Sequence, residues 1–206
     1  MDREATVATI RELRLALCDQ LEGLSDDQWN TPSLCDGWRV REVLGHLVSL
    51  QVVPTWKFVA GTFSMRGFHR RTDRFAREYG RRDPAELVSL YRDHADGRTA
   101  PPFVGPMAPF TDIVTHTLDI QRPLGLPTTT DDDSMRLVLY AVCRGLPGFT
   151  PKQRVEDLHF EATDLDWSIG DGHTVRGPGA DLLLAVLGRA VDDDALEGIG
   201  DLRRRM

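Results

Sequence analysis

The chain has 206 residues, of which 41% are hydrophobic and 28% charged, a composition typical of a folded globular protein with one large or two small domains. Its formal net charge of −7 and pI near 5.3 argue against nucleic acid as the main partner, and its three cysteines contain no CxxC pair that would predict a cysteine-rich zinc site. The sequence has no run of 18 apolar residues and no secretion signal, so we expect a soluble, cytoplasmic protein with no membrane partner.

Two helices are predicted in the first 55 residues. Hydrophobic spacing indicates a helix from about Arg3 to Glu22, and Ser25–Gln28 has the pattern of a capping box. After a loop rich in turn formers, Asp36 is a plausible N-cap for a second helix from Trp38 to about Val53. His46 lies at the edge of the apolar stripe of this helix. A single histidine there is more often buried and hydrogen-bonded than a metal ligand.

The segment 66–82 is basic, with seven arginines against Asp73 and Glu78. Such a pattern indicates a solvated helix face with local ion pairs, and the alternative is a patch that receives an anionic ligand. Asp83 begins the next helix as an N-cap, with Pro84 at its first position and Glu86 at its third.

The segment 110–125 carries the most informative spacing in the chain. In a helix, Asp112 and His116 lie about 40° apart on one face, and Asp119 falls within about 20° of Asp112. A carboxylate and an imidazole one turn apart are able to hold one metal ion. A solvated or hydrogen-bonded face would contain the same residues, so the spacing alone leaves both interpretations open. Pro123 is expected to end the helix, with Gly125 after it.

The last predicted helix of the helical region precedes a change of pattern at about Pro151. Thr130 and three following aspartates predict the start of a helix that reaches about Leu146. Beyond it, alternating residues between 158 and 169 predict one or two strands, and Asp171-Gly172 predicts a hairpin turn into a strand at 174–176. A compact helix is predicted over 182–187. We therefore expect a helical domain over 1–148 and a small α/β unit over 149–206.

Two antiparallel helices would bring His46 beside Asp112 and His116. Two imidazoles and one carboxylate leave a coordination position open, which is the arrangement of a catalytic zinc ion rather than a structural one. The same ligands suit non-haem Fe²⁺, so ligand type alone does not fix the metal.

Three passages resemble the mycothiol-dependent maleylpyruvate isomerase family, whose N-terminal domain is a DinB-like helix bundle. They are LCDGWRVREVLGHL at 34–47, DIVTHTLDIQRPLG at 112–125, and DLDWSIG at 164–170 with GPGADLLLAVLGR at 177–189. The first two are the more specific. The resemblance implies a mainly α fold, a DinB-like four-helix bundle followed by a small α/β C-terminal unit.

Position by position, the resemblance implies that the metal ligands are His46, Asp112 and His116. It further implies a divalent metal ion, Zn²⁺ with Fe²⁺ or Ni²⁺ as alternatives, and mycothiol as co-substrate. The family's carboxylate is usually glutamate, so Asp112 is one methylene shorter. A small helix shift or an intervening water would restore its contact, and weaker metal binding is the other expectation.

The implied chemistry is attack by a low-molecular-weight thiol on a small electrophilic substrate. In an isomerase the thiol would add to a cis double bond, allow rotation and then leave, whereas an S-transferase would stop at the adduct. Two rival functions use the same scaffold, a metal-assisted hydrolase and a non-enzymatic protein that binds a small molecule or a metal. The chain is expected to be a monomer or a homodimer.

The remaining candidates have secondary roles. Asp119 either orients a ligand histidine or pairs with Arg122. Arg176 or Arg189 would hold a substrate carboxylate, unless both are surface residues. Cys35 has no His or Asp at a supporting spacing and is interpreted as a structural thiol, and Trp38 is interpreted as a core residue.

Overall fold

The computed structural model describes residues 3–59, 65–97 and 105–205. Contacts divide the chain into two units, the first ending at Thr129 and the second beginning at Thr130. No helix in the described ranges is long and apolar enough to cross a bilayer. The first unit contains α1 (Arg3–Leu21), α2 (Asp26–Asn30), α3 (Val40–Val52), α4 (Thr55–Val59), α5 (Met65–Tyr79), α6 (Pro84–Asp93) and α7 (Met107–Leu124). The second contains α8 (Asp132–Val142), α9 (Lys152–Val155), β1 (Leu158–Ala162), β2 (Trp167–Ile169), β3 (His173–Gly177), α10 (Gly179–Val186) and α11 (Ile199–Arg203).

Four helices of the first unit form a bundle. Helices α1 and α3 each pack against both α6 and α7, so the four enclose one core. Their buried faces follow the helical spacing of apolar residues in the sequence, because a helix places every third or fourth side chain on one side. The mainly α fold with a four-helix bundle is confirmed. The buried apolar residues include Ile10, Leu13, Leu17, Val43, Leu44, Leu47, Leu87, Tyr91, Phe110, Ile113, Val114 and Leu118.

Helix α5 packs on the outside of α3 at a very short backbone separation. A Cβ atom added at Gly45 would meet the carbonyl oxygen of Ala76 and would lie 2.6 Å from the backbone nitrogen of Gly80. Only glycine fits at this crossing, because any side chain would push the two backbones apart. The glycine next to His46 therefore fixes how closely α5 approaches the helix that carries this histidine.

Several helix ends agree with the sequence pattern and others differ. The capping box of α2 and the Asp83 N-cap of α6 are confirmed. Asp36 is not the N-cap of α3: the helix begins at Val40, and the backbone N–H of Arg39 donates to the Glu42 carboxylate at 2.8 Å. In α8 the N-cap is Asp131, whose carboxylate accepts from the N–H of Ser134 at 2.9 Å. That helix ends at Val142, earlier than predicted.

Pro123 lies inside the last turn of α7 instead of stopping the helix before it. The helix ends at Gly125, whose φ of 63° is the left-handed conformation that favours glycine. Proline has no N–H to donate to the carbonyl four residues earlier, which belongs to Asp119. The backbone N–H of Leu34 donates to this carbonyl instead, at 3.1 Å.

The three strands of the second unit form a sheet with the order β2-β1-β3. The predicted hairpin at Asp171-Gly172 is wrong, because β3 pairs with β1 in parallel while β2 pairs with β1 in the antiparallel direction. The connection between β2 and β3 crosses the start of β1. Gly172 has φ of 143°, and a Cβ there would collide with the backbone of Asp157, so this glycine allows a close crossing instead of a tight turn.

The boundary between the units differs from the predicted one at residue 148. Helix α8 packs against α10 and belongs to the second unit, so the contacts divide the chain 19 residues earlier, between 129 and 130. The sequence pattern gave no sign of this, because an amphipathic helix does not indicate which neighbour covers its apolar face.

Candidate metal centre

Two helices of the bundle bring three metal-binding side chains together. His46 lies on α3, and Asp112 and His116 lie one turn apart on α7. The Nε2 atom of His46 is 3.4 Å from Oδ1 of Asp112, and the Nε2 atom of His116 is 3.6 Å from the same oxygen. The side chains of His46, Asp112 and His116 are 8%, 17% and 9% exposed. We call these three residues the imidazole set.

The spacing of the imidazole set suits one small metal ion. Zinc binds histidine nitrogen and carboxylate oxygen at about 2.0–2.2 Å, so neighbouring ligand atoms of a tetrahedral site lie about 3.3–3.6 Å apart. The two measured separations, 3.4 and 3.6 Å, fall in this range. Both distances end at Oδ1 of Asp112, so this shorter side chain lies close to both imidazoles. Two nitrogens and one oxygen leave a fourth position open.

Asp119 fixes the orientation and tautomer of His116. The Nδ1 atom of His116 lies 2.8 Å from Oδ2 of Asp119, a carboxylate with no solvent exposure. An ionised carboxylate only accepts hydrogen bonds, so Nδ1 carries the proton and donates it. The lone pair of His116 is therefore on Nε2, which faces Asp112. A carboxylate–histidine pair of this kind commonly supports a histidine that binds metal.

The protonation states also suit metal binding. Burial lowers the pKa of His46, and the attraction of Asp112 does not reverse this effect. Burial alone would raise the pKa of Asp112, but His46, His116 and Arg14 outweigh it, so the pKa lies below its ordinary value. A neutral imidazole and an ionised carboxylate are the forms that donate electron pairs to a cation.

The loop before α3 lies against α7 beside this set. The backbone N–H of Leu34 donates to the carbonyl of Asp119, and the N–H of Cys35 donates to the hydroxyl of Ser33, each at 3.1 Å. The Sγ atom of Cys35 is consequently within 4.8 Å of a nitrogen of His116 and an oxygen of Asp119. The sequence spacing around Cys35 did not indicate these neighbours, and Cys35 is partly exposed instead of buried as expected for a structural thiol.

Trp38 covers the two histidines and is only partly a core residue. Its ring centre is 5.2 Å from that of His46 and 6.2 Å from that of His116. Its indole N–H donates to Asp73 at 2.8 Å, and Asp73 also accepts from Arg77. This role was not predicted, because the contact with His116 joins residues that are far apart in the chain. The one available signal was the spacing of Trp38 and His46, eight residues apart, close to two helical turns.

The arginines of the basic segment form local ion pairs. Arg77 pairs with Asp73 at 3.0 Å, and Arg82 pairs with Glu86 at 2.5 Å, each four residues apart. These pairs agree with the interpretation as a solvated helix face. Exposed pairs of this kind contribute little to stability.

The other candidate residues are arginines on α7 and in the second unit. Arg122 is exposed near the end of α7. Arg176 and Arg189 belong to the second unit, where Arg176 pairs with Glu161 at 2.9 Å and lies 3.7 Å from Glu197. These two carboxylates neutralise the charge of the Arg176 guanidinium. Arg189 donates to the carbonyl of Leu187 at 3.4 Å.

Comparison with known proteins agrees with the geometry. The family model of the mycothiol maleylpyruvate isomerase N-terminal domain matches residues 10–115, just over half of the chain, including His46 and Asp112. The chain belongs to this family. In this member of the mycothiol maleylpyruvate isomerase family, the matched range begins within α1 and ends within α7.

Two solved structures share the fold. The crystal structure of the mycothiol-dependent maleylpyruvate isomerase superposes with a TM-score of 0.57 at 14% identity, and that of a histidine-to-alanine mutant with 0.58 at 15% identity. Each alignment covers 95% of this chain and 92% of the other. At this identity the likeness establishes the fold alone. Among curated protein sequences, none matches the chain.

Proposed function

We propose that this protein is a metal-dependent enzyme that uses a low-molecular-weight thiol, mycothiol. It would either isomerise a small electrophilic substrate or transfer the thiol to it. The convergence of His46, Asp112 and His116 carries this proposal, because it provides three ligands and an open position inside a bundle of the isomerase family. The proposed ion is Zn²⁺, with Fe²⁺ and Ni²⁺ as alternatives that the same ligands accept.

Each residue of the proposed centre has a separate task. His46 and His116 would supply ring nitrogens, and Asp112 would supply negative charge that partly balances the cation. Asp119 keeps the His116 lone pair on Nε2, and Trp38 shields the two rings on one side. A bound divalent ion would lower the pKa of a thiol in the open position, so that the nucleophilic thiolate forms at neutral pH.

The decisive experiment measures metal content and thiol-dependent turnover in the same preparations. We expect about one equivalent of zinc in the wild-type protein by elemental mass spectrometry, and at least a tenfold loss of zinc and of turnover in His116→Ala. His173→Ala is the matched control, because His173 is exposed on β3 and does not belong to the imidazole set. Full zinc occupancy in His116→Ala would exclude the proposed ligand set.

The same assay separates the rival functions. Turnover that needs both metal and added thiol supports the proposal, whereas turnover with metal alone would indicate a metal-assisted hydrolase. Saturable binding of metal or small molecule with no turnover would indicate a binding protein. Mass spectrometry of the products separates the two thiol reactions, because an S-transferase leaves the thiol in its product and an isomerase releases it unchanged.

A further inference from the structure

A second group of metal-binding side chains lies beside the imidazole set. The Sγ atom of Cys35, a ring nitrogen of His116 and a carboxylate oxygen of Asp119 all lie within 4.8 Å of one another. We call these three residues the thiol set. His116 belongs to both sets. His46 and Asp112 belong to the imidazole set alone, and Cys35 and Asp119 belong to the thiol set alone.

The thiol set is held by the backbone as well as by side chains. The carbonyl of Asp119 accepts from Leu34, the residue before Cys35, and the N–H of Cys35 donates to Ser33. The N–H of Trp38 donates to the carbonyl of Cys35 at 3.0 Å, which closes the turn around the thiol. Cys35 is partly exposed, whereas Cys18 and Cys143 are buried, so an ion from solvent reaches Cys35 more readily.

We propose that the thiol set is a second position for a thiophilic divalent cation, alternative to the imidazole set. A thiolate is a softer ligand than a carboxylate and favours ions such as Zn²⁺ and Co²⁺ over Mg²⁺ or Ca²⁺. Cys35, His116 and Asp119 would supply sulfur, nitrogen and oxygen. Uptake of the ion would release the thiol proton of Cys35 to solvent, and binding through Nδ1 would require the ring proton of His116 to lie on Nε2.

The shared histidine makes the two positions exclusive. The Nδ1 atom of His116 lies 2.8 Å from Asp119, and its Nε2 atom lies 3.6 Å from Asp112, so the carboxylates of the two sets face opposite nitrogens of one ring. A neutral imidazole offers a lone pair on one nitrogen only. The chain therefore holds one ion at a time in this region, in one position or the other.

The experiment is a Co²⁺ titration of full-length His46→Ala, in which the imidazole set lacks one ligand. We expect about one Co²⁺ per chain and a sulfur-to-cobalt charge-transfer absorption in the near ultraviolet, since only the thiol set contains sulfur. Adding Cys35→Ser to this variant should abolish the absorption and weaken Co²⁺ binding at least tenfold. Adding Cys143→Ser instead should leave the absorption and the Co²⁺ affinity unchanged, because Cys143 is buried at the end of α8 in the second unit.

A second background guards against misfolding of His46→Ala. Asp112→Asn also disables the imidazole set, and circular dichroism checks that each variant retains its helices. Co²⁺ binding without the charge-transfer absorption in both folded backgrounds would overturn the proposal, as would no Co²⁺ binding in either. Two Co²⁺ ions on the wild-type protein would contradict the exclusive use of His116. None of these results depends on thiol turnover, so they are separate from the test of the proposed function.

Discussion

The carboxylate of Asp119 determines how His116 presents itself. It is fully buried and accepts a hydrogen bond from the Nδ1–H group of His116 at 2.8 Å. The lone pair of the ring is then on Nε2. A single side chain thus fixes the orientation of the imidazole ring. The spacing of three residues on one helix made the contact with His116 foreseeable from the sequence, and the coordinates show it.

We predict that Asp119→Asn weakens zinc binding by about 10- to 100-fold, because asparagine has the same shape but lacks the charge that makes His116 a stronger ligand. Competition with a chromophoric chelator measures the affinity. Asp73→Asn is a suitable control, since Asp73 contacts the indole of Trp38 instead of a histidine. An unchanged zinc affinity in Asp119→Asn would mean that the carboxylate only fills space.

At the level of helices, the crossing of α3 and α5 sets the position of His46. Gly45 allows the two backbones to meet, and the same helix carries His46 one residue later. The periodicity of apolar residues predicted α3, but it contained no information about this crossing. A glycine inside a helical pattern indicates either a tolerated defect or a close contact, and only the neighbouring backbone decides between them.

We predict that Gly45→Ala lowers the free energy of unfolding by about 1–3 kcal/mol, because the added methyl group overpacks the crossing and displaces α5. Urea denaturation followed by circular dichroism measures the change. Gly23→Ala is the matched control, because a Cβ there meets no atom within 4 Å, and its effect should stay within about 0.5 kcal/mol. Equal stability of the two variants would show that α3 and α5 separate without cost.

Other elements show where sequence patterns are ambiguous. The dipeptide Asp171-Gly172 satisfies the pattern of a hairpin turn, yet Gly172 lies where the connection between β2 and β3 crosses the start of β1. Pro123 satisfies the pattern of a helix stop, yet it lies inside α7 and leaves the carbonyl of Asp119 without a helical donor. The backbone N–H of Leu34 donates to this carbonyl instead. Both patterns identify an unusual backbone conformation correctly. They do not identify which distant segment makes use of it.

For the molecule as a whole, acidic groups with lowered pKa values determine the response to acid. Burial would raise the pKa of Glu42, but the hydrogen bonds and charge of Arg39 outweigh it, and the pKa lies below its ordinary 4.5. Asp73 and Asp131 also have lowered pKa values, because donors from Arg77 and Ser134 outweigh burial. In each case the unfolded chain takes up a proton at a higher pH than the folded one, so acid favours unfolding.

We predict that these three groups leave the free energy of unfolding nearly constant between about pH 7 and 6. Their contribution is lost as the pH drops below about 4.5 and passes through their folded pKa values. Glu42→Gln should be less stable than the wild type at pH 7, and the difference should shrink towards pH 3. Urea denaturation at pH 7, 5 and 3.5 measures it. A difference that grows with acidity would mean that Arg39 does not stabilise the ionised form of Glu42.

Across the whole chain, the accuracy of prediction followed the distance between the residues involved. The four bundle helices and two of the caps depend on neighbours within one or two turns, and the sequence contained enough information for them. The approach of His46 to Asp112 and His116 was expected from the family resemblance, and the structure brings these side chains together. The contacts of Cys35 with His116 and of Trp38 with both rings arise only when the loop meets α7.

The position of Trp38 gives the candidate centre an optical label of its own. Of the four tryptophans in the sequence, Trp38 is the one whose ring contacts both His46 and His116, at 5.2 and 6.2 Å. An open-shell ion such as Co²⁺ or Ni²⁺ at that range quenches indole fluorescence, whereas closed-shell Zn²⁺ does not. Occupancy of the centre is therefore measurable from the emission of the unmodified protein, and exchange of one ion for another can be followed in real time.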